Sequence, residues 1–446
     1  MKLLLTHGYF LAEDLKERQI MKPYAPMGIL YLSSHLRAKG FDVEIYDSTF
    51  GSRDELFRKL KQGPPAALGI YANLMTRANV TETIGVARAA GWRVIAGGPE
   101  PANYAEEFLD AGAEIVAAGE AELTLEQLMA AEFDSNAWPV IDGIIFRDGN
   151  GATVRNKPAL LLTDLDGQPW PDREHIDIPR YLQTWREHHG MSSISVITAR
   201  GCPYKCNWCS HSVYGHTHRR RSPRAVADEI EWLMGRYTPD MLWIADDVFT
   251  IHPGWLLEYA AELKRRGIRI PFECITRADR VNERIADTLR ELNCMRVWIG
   301  SESGSQRILD SMQRGVTVAQ VRHAVGLCKN RGIETGMFLM WGYDGEDIGD
   351  IEATVDHVKQ CRPDIFFTTV SYPIKGTPYF EKVASRVVNI RPWRQTTDRE
   401  LRIRGRHSRR FYQYADELLR GEMAADASAA LAAREGLRAT HGETEA

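Results

Sequence analysis

The stretch GCPYKCNWCS, residues 201–210, sets Cys202, Cys206 and Cys209 in a CxxxCxxC spacing directly after the β-branched run SISVITAR. Three thiolates this close can hold three irons of a 4Fe-4S cube, which leaves the fourth corner open to a small molecule that brings its own donors. Two plainer readings compete. Cys206 and Cys209 alone form a Cys-x-x-Cys, which is half of a zinc site that His211 or His216 would have to complete, or else a dithiol redox pair. Three cysteines on a loop leaving a strand are more specific than a lone Cys-x-x-Cys, so the cluster is the reading carried forward.

The other four cysteines, Cys274, Cys294, Cys328 and Cys361, stand singly and read as small core residues. Seven in all, an odd number with three clustered, argue for a reducing compartment rather than a disulfide framework. A chain of 446 residues can build two or three domains. Its 44% apolar and 26% charged content with a net charge of −4 is that of an ordinary soluble protein and supplies no overall field for nucleic acid. No apolar run is long enough to span a bilayer. The start, MKLLLTHGYFLAED, is broken by His7, Gly8 and acids, so it reads as a buried first strand of a cytoplasmic protein.

Upstream of the cysteines, strands are expected at 2–6, 42–46, 66–71, 92–97 and 114–119, with amphipathic helices at 27–39, 53–61, 77–90, 104–110 and 121–132. That alternation predicts a Rossmann-like, doubly wound parallel sheet over 1–137, with its ligand site beyond the carboxyl ends of the strands. Those ends carry Thr6, His7 and Gly8; Asn73, Leu74, Met75 and Thr76; Gly97, Gly98 and Pro99; Gly119 and Glu120. Glycines there let a backbone approach a bulky ligand, or serve only as sharp turns. Residues 138–190 read as a hairpin turning at Asp148 to Gly151, followed by the Pro- and Asp-rich linker DLDGQPWPDRE.

From 191 to 385 a second alternation, with strands at 193–199, 241–246, 270–277, 295–302, 334–341 and 364–372, predicts an open (β/α)6 partial TIM barrel with chemistry at the strands' C-terminal ends. Ser222 is expected to cap a helix that Pro223 opens. Residues 386–446 show no strand signal and read as a helical extension with a frayed, alanine-rich end. Its segment 391–410 holds eight arginines, either a solvated face or a site for an anionic, carboxylated or phosphorylated substrate.

The barrel strand ends carry convergent polar groups. Asp246 and Asp247 close the second strand, where a carboxylate could accept from an amino group; Arg277, closing the third, could pair with a carboxylate; Glu302, closing the fourth, could receive ribose hydroxyls. Tyr204 and Trp208 lie inside the cysteine loop, where an aromatic can cover a cluster or a nucleobase. Each alone has a duller reading as helix cap, salt bridge or core. Their shared location argues for a site.

With both halves read, the chain resembles the cobalamin-binding-domain radical S-adenosylmethionine (SAM) family, in the branch of the anaerobic magnesium-protoporphyrin monomethyl ester cyclase and the radical SAM C- and P-methyltransferases. The resemblance covers roughly 1–385. It rests on YAPMGILYLSSHLRAKGFDVEIYD, the GG of VIAGGPEP and the GE of VAAGEAE in the first half, and on GCPYKCNWCS, IADDVFT, TRADR, IGSESGSQRILD and YPIKGTPYF in the second. It implies a 4Fe-4S cluster on Cys202, Cys206 and Cys209 with SAM on the open iron, held by Tyr204, Trp208, Asp246, Asp247, Arg277 and Glu302. It also implies cobalamin against Asn73, Leu74, Met75, Thr76, Gly97, Gly98, Gly119 and Glu120. A single cluster is expected, since no cysteine precedes Cys202 or follows Cys361. The Asp-x-His-x-x-Gly signature that ligates cobalt from below is missing, so the lower face is assigned to Asn73–Thr76 rather than to a histidine. In WGYDGE, Asp344 stands where relatives commonly have proline.

The activity so implied is radical methylation of an unactivated carbon, in which one SAM methylates reduced cobalamin and a second is cleaved to a 5'-deoxyadenosyl radical that removes a substrate hydrogen. Oxidative cyclisation or ring rearrangement without methyl transfer would use the same cofactors. A cluster- and cobalamin-binding regulator without catalysis is the alternative of another class. The expected partners are a small-molecule substrate and a reductant such as flavodoxin or ferredoxin, with no nucleic acid and no membrane span.

Overall fold

The computed structural model describes residues 1–445, which build two mainly parallel sheets joined through a linker and closed by C-terminal helices. The first sheet contains β1 (Leu3–His7), β2 (Val43–Tyr46), β3 (Ala67–Tyr71), β4 (Arg93–Gly97), β5 (Ile115–Ala117), β6 (Ile144–Arg147) and β7 (Thr153–Arg155) in the order β2-β1-β3-β4-β5-β6-β7. β1 to β5 run parallel. β1 is buried along its whole length and reads LLLTH because helices cover both of its faces, which removes the alternation of a half-exposed strand. The order 2-1-3-4-5 puts the topological switch between β1 and β3, the crevice where such sheets bind ligands. The hairpin expected in the linker does form, with its turn at Asp148–Gly151, but it is not a free element: β6 pairs antiparallel with β5 and extends the first sheet. The linker also contains an unforeseen helix, Ile178–His189.

The second sheet takes β8 (Ser193–Val196), β11 (Met241–Ile244), β12 (Phe272–Thr276), β13 (Cys294–Glu302), β14 (Glu334–Trp341) and β15 (Ile365–Val370) in chain order, all parallel, with a helix between successive members from β11 onward. That is the open six-stranded partial barrel. The intervening antiparallel pair β9 (Ala199–Arg200) and β10 (Arg219–Arg220) ties together the two ends of the cysteine loop, so residues 201–218 leave and re-enter the fold at one fixed point. Ser222 accepts from the Ala225 amide and Pro223 opens the helix Pro223–Tyr237, as its N-terminal signature requires.

The extension is more ordered than its composition suggests. Arg402–Ile403 forms a two-residue strand, β17, against β16 (Val387–Val388). The helices Arg409–Met423 and Ala427–Thr440 pack on each other and on the barrel, placing Phe411, Tyr412, Leu418, Ala433 and Leu437 in one apolar core with β13 and β14. Alanine here is interface rather than fray, since small side chains let two helices approach closely.

No helix among the described residues is long and apolar enough to cross a membrane.

Candidate cluster and cofactor site

Cys202, Cys206 and Cys209 line one cavity of about 250 Å³ at the carboxyl ends of the barrel strands, together with Tyr204, Trp208, His211, Asp247, Arg277, Glu302 and Arg314. Five of the six residues assigned to SAM from the sequence therefore share this cavity. Asp246 does not. Its carboxylate accepts from the Thr198 amide at 2.7 Å, the Ala199 amide at 3.0 Å and Arg220 at 2.8 Å, and it is 2% exposed. It anchors the strand that feeds the cysteine loop instead of facing the cavity. Asp247 is the free carboxylate of the pair. It opens onto the cavity's solvent but is crowded by protein atoms, and this crowding together with Asp246 holds its carboxyl above the usual range.

Arg277 is also more committed than its position at a strand end suggested. Its guanidinium lies 3.7 Å from the Tyr204 ring centroid, donates to Asp279 at 2.9 Å and to the Arg314 carbonyl at 2.8 Å, and points a third nitrogen at Cys206 Sγ, 3.7 Å away. Arg314, unremarked in the sequence, matches it: one nitrogen lies 3.7 Å from the same sulfur, another donates to the Gly300 carbonyl at 2.9 Å, and Nε sits 3.6 Å from Glu302. Gly300 leaves room for this, because a Cβ there would lie 2.5 Å from the Arg314 guanidinium. Glu302 adopts φ +61° where the β13–β14 register slips, a strained backbone for a non-glycine residue and of the kind that clusters at functional sites. Burial raises its carboxyl above the usual range, against the pull of Arg314 and Arg277.

Although Cys209 is open to the cavity's solvent, crowding by protein atoms and then the neighbouring Cys206 and Asp247 push its thiol up to about 12. The Cys202 thiol is raised likewise, so for these two sulfurs thiolate character has to come with the metal they bind. A single zinc ion with bonds of about 2.3 Å needs sulfurs roughly 3.8 Å apart. The cysteines do not gather that tightly: the only trio of His, Cys, Asp or Glu among the described residues with ligand atoms within 4.8 Å of one another lies elsewhere, at Asp347, His407 and His441. Three separated thiols around one cavity suit separate irons of a cube. The loop's ligand atoms are not gathered for a mononuclear zinc, and the His211 and His216 rings lie tilted against each other, centroids 4.1 Å apart.

The first sheet's carboxyl edge has a different chemistry. An apolar slot of about 40 Å³ lies between β1, β3, β4 and β5 and the helices Met27–Ala38 and Glu122–Ala130; Leu5, Ile29, Gly69, Tyr71, Gly97 and Gly98 are among its walls. Gly98 has φ +107°, and a Cβ there would lie 2.5 Å from the Ala72 carbonyl. The edge thus has a glycine floor where a ligand can lie close to backbone. Asn73 folds its side chain onto the Met75 and Thr76 amides at 3.0 and 3.1 Å, closing a turn that leaves Leu74 partly and Met75 half exposed. His7 is spent on Asp47 at 3.0 Å, Ser48 at 2.9 Å and the Tyr9 amide at 3.2 Å, so it offers no nitrogen to a metal.

Gly119 borders a second cavity of about 420 Å³, whereas the Glu120 carboxylate is the hub of a buried cluster: it pairs with Arg200, with Arg219 at 2.7 Å and with the Leu162 amide at 3.0 Å. Glu120 therefore clamps the β9–β10 base of the cysteine loop to the first sheet and leaves no oxygen for a cofactor. The loop's outgoing arm crosses the same seam. Ser212 donates to the Pro99 carbonyl at 2.6 Å, and His211 lines both this cavity and the cysteine cavity. In place of one interdomain cavity, two cavities share a wall. Of the eight arginines of 391–410 only Arg406 is buried, against Glu445 at 2.9 Å; six are exposed, among them Arg410 beside Glu443 at 3.5 Å and Arg391 beside Glu400 at 3.8 Å, so the segment is mostly a solvated face. Asp344 pairs with Arg386 at 2.5 Å and Lys382 at 3.1 Å, which turns it away from the cysteines.

Comparison with known proteins agrees with this geometry. Residues 196–358 match the radical SAM superfamily and residues 20–129 the B12 binding domain. An uncharacterized methyltransferase of Pyrococcus horikoshii is 28% identical over 389 residues, 83% of this chain and 81% of that protein. The anaerobic magnesium-protoporphyrin IX monomethyl ester cyclase of Rubrivivax gelatinosus is 24% identical over 386 residues, 83% of this chain and 68% of that one. In fold, the radical SAM methyltransferase TsrM of Kitasatospora setae, solved with cobalamin and a 4Fe-4S cluster, superposes with a TM-score of 0.70 at 21% identity over 86% of this chain and 74% of its own. The cobalamin-dependent SAM radical enzyme OxsB superposes with a TM-score of 0.75 at 18% identity over 94% of this chain and 66% of its own. The chain thus carries a B12-binding domain over residues 20–129 followed by a radical SAM domain over residues 196–358.

Proposed function

We propose that the protein is a cobalamin-dependent radical SAM methyltransferase acting on an unactivated carbon of a small molecule. The observation that carries this reading is the seam itself: the cysteine loop, which lines the cluster cavity, rests on the first sheet's carboxyl edge through Ser212–Pro99, directly beside the Gly97–Gly98 floor. Methyl transfer between two cofactors requires their sites to adjoin, and no free path through solvent should separate them.

When bound, the cluster with SAM supplies a radical and cobalamin supplies a transferable methyl group. The chain's residues prepare the ground for both. Cys202, Cys206 and Cys209 hold three irons, and Arg277 and Arg314 bring two guanidiniums to the Cys206 sulfur, where hydrogen bonds to a thiolate ligand raise the reduction potential. Asp247, free of partners that occupy Asp246, accepts the SAM amino group; Glu302 accepts ribose hydroxyls; Tyr204 and Trp208 close the cavity against water. Asp246 and Arg277 are positioning residues. Gly97–Gly98 and the Asn73–Thr76 turn beside them would hold the corrinoid. A low-potential donor of the flavodoxin or ferredoxin type supplies electrons.

The test is anaerobic reconstitution with iron, sulfide and hydroxocobalamin, followed by product mass spectrometry. About four irons and one corrinoid per chain are expected, with products heavier by one CH2. Both cofactors bound with no gain in product mass would favour the cyclase activity named for several relatives. Iron without corrinoid would sink the proposal.

A further inference from the structure

Away from the cysteine loop, three side chains with metal-ligand chemistry converge where the C-terminal extension meets the barrel. Asp347 caps the helix Ile348–Cys361, its Oδ1 accepting from the Ile348 amide at 2.7 Å. His441 ends the helix Ala427–Thr440 and brings Nε2 to 2.7 Å from the same oxygen. His407, just before the helix Arg409–Met423, brings its Nε2 to 3.9 Å. Among the described residues this is the one trio of its kind whose ligand atoms all lie within 4.8 Å.

Two observations set it apart from a surface ion pair. The His407 ring is stacked on Phe411, centroids 4.2 Å apart, and its Nδ1 is buried without a hydrogen-bond partner, so the ring has given up water on that side with no hydrogen bond to account for its place. The same cavity, about 400 Å³, is also lined by Glu346, which is 4% exposed and has one carboxylate oxygen lacking any partner. The arginines on that cavity do not answer this need, since Arg386 is spent on Asp344 at 2.5 Å and Arg406 on Glu445 at 2.9 Å. Buried polar atoms without partners in a polar cavity point to a missing cation or water.

We propose that Asp347, His407 and His441 form a zinc site that staples the C-terminal helices to the loop following β14, with water in the fourth position. Bonds of about 2.0 to 2.2 Å put tetrahedral ligand atoms roughly 3.3 Å apart. The Asp347–His441 contact must therefore open, and the Asp347–His407 contact close, by about 0.6 Å each, within reach of side-chain rotation at helix ends. No electron or group is transferred; zinc replaces the proton that His441 shares with Asp347. The staple acts on a loop that already leans on the extension: Gly342 has φ +73°, and a Cβ there would lie 2.9 Å from the Tyr412 ring. Glu346 accepts from the Gly342 amide within the same loop. This inference does not depend on the proposed methyl transfer.

The experiment uses the full chain with its cluster reconstituted, passed over chelating resin, given zinc chloride and desalted. Zinc per chain and melting temperature are compared between the parent and His407→Asn/His441→Gln. Both proteins keep all seven cysteines, so zinc held by thiols cancels. The parent should retain about one zinc more than the variant and melt higher with zinc than without, while the variant does not respond. Asp347→Asn, which can still cap the helix, covers the case in which the double variant folds poorly and should weaken zinc binding by more than about ten-fold. Equal zinc content and equal melting response in parent and variants would overturn the site.

Discussion

At the barrel mouth the charged groups around Cys206 are paired with one another: Arg277 with Asp279, Arg314 with Glu302, and both guanidiniums with the sulfur. The carboxyl edge of the first sheet instead presents glycines, an apolar slot and one compact Asn73 turn. The first region is suited to a small charged cofactor by preorganised electrostatics, where misplaced charge is costly. On the proposed reading the second would hold a large, flat one by shape, where a misplaced methyl group is costly. Where they touch, at Glu120 with Arg200 and Arg219, the charged style crosses into the first sheet and locks the cysteine loop onto it.

The largest effect expected breaks one side and spares the other. Cys206→Ala should drop iron from about four per chain to near zero and abolish 5'-deoxyadenosine formation, while corrinoid uptake, read from the visible spectrum of desalted protein, stays at parent level. Its mirror image is Gly97→Leu. A Cβ at Gly97 meets nothing closer than Ala117 Cβ at 3.8 Å, so the chain accepts the substitution while the larger side chain fills the slot. Corrinoid loading should fall by more than about ten-fold with iron retained. Loss of both cofactors in either variant would show that the regions are not independent.

Which parts of this were legible in the sequence follows the same division. Buried parallel strands such as LLLTH and ALGIY read directly because burial on both faces makes them continuous apolar runs. The cysteine loop read directly because ligand spacing is local. Asp246 and Glu120 were assigned to cofactors because a carboxylate at a strand end looks the same whether it faces a ligand or a neighbouring loop. Only the fold brings Thr198 and Arg220 to the one, and Arg200 and Arg219 to the other. Arg314 carried no signal, since it follows a short helix rather than ending a strand, and its partner Cys206 is 108 residues away in sequence. The trio at Asp347, His407 and His441 is invisible for the same reason: three distant elements supply one ligand each.

At the seam, Glu120→Ala would leave Arg219 without its counter-charge and Arg200 with Glu122 alone. Removing one member of such a cluster costs about 3 to 5 kcal/mol, measurable as a lower urea midpoint of the full chain; a loss below about 1 kcal/mol would mean that the clamp is decorative. A smaller effect separates the paired charges from the cofactor they serve. Arg314→Gln takes a positive charge and a donor from Cys206, so the cluster's midpoint potential, followed by electron paramagnetic resonance during a redox titration, should move to more negative values. An unchanged potential with a full iron complement would reduce Arg314 to a structural role.

The smallest effect concerns a buried charge on the first-sheet side. Arg77, 1% exposed, is shared by Glu100 and Asp398, and it lies over the Tyr104 ring at 4.6 Å. Two carboxylates compete for one guanidinium. Burial, with Asp398 adding to it, pushes the Glu100 carboxyl up to about 7 from an ordinary value of 4.5, even against the pull of Arg77. The sign follows from which state holds the proton. Between pH 4.5 and about 7 the folded chain keeps a proton on Glu100 that the unfolded chain has released, so this group's contribution to stability falls as pH rises across that window and levels off above it. Glu100→Gln fixes the neutral form in both states. Its urea midpoint should vary less with pH than the parent's between pH 5 and pH 7 (a window of roughly 2 units set by that shift). Parallel pH profiles in the two proteins would show that Glu100 is ionised throughout and that the first sheet, like the barrel mouth, keeps its buried charges fully paired.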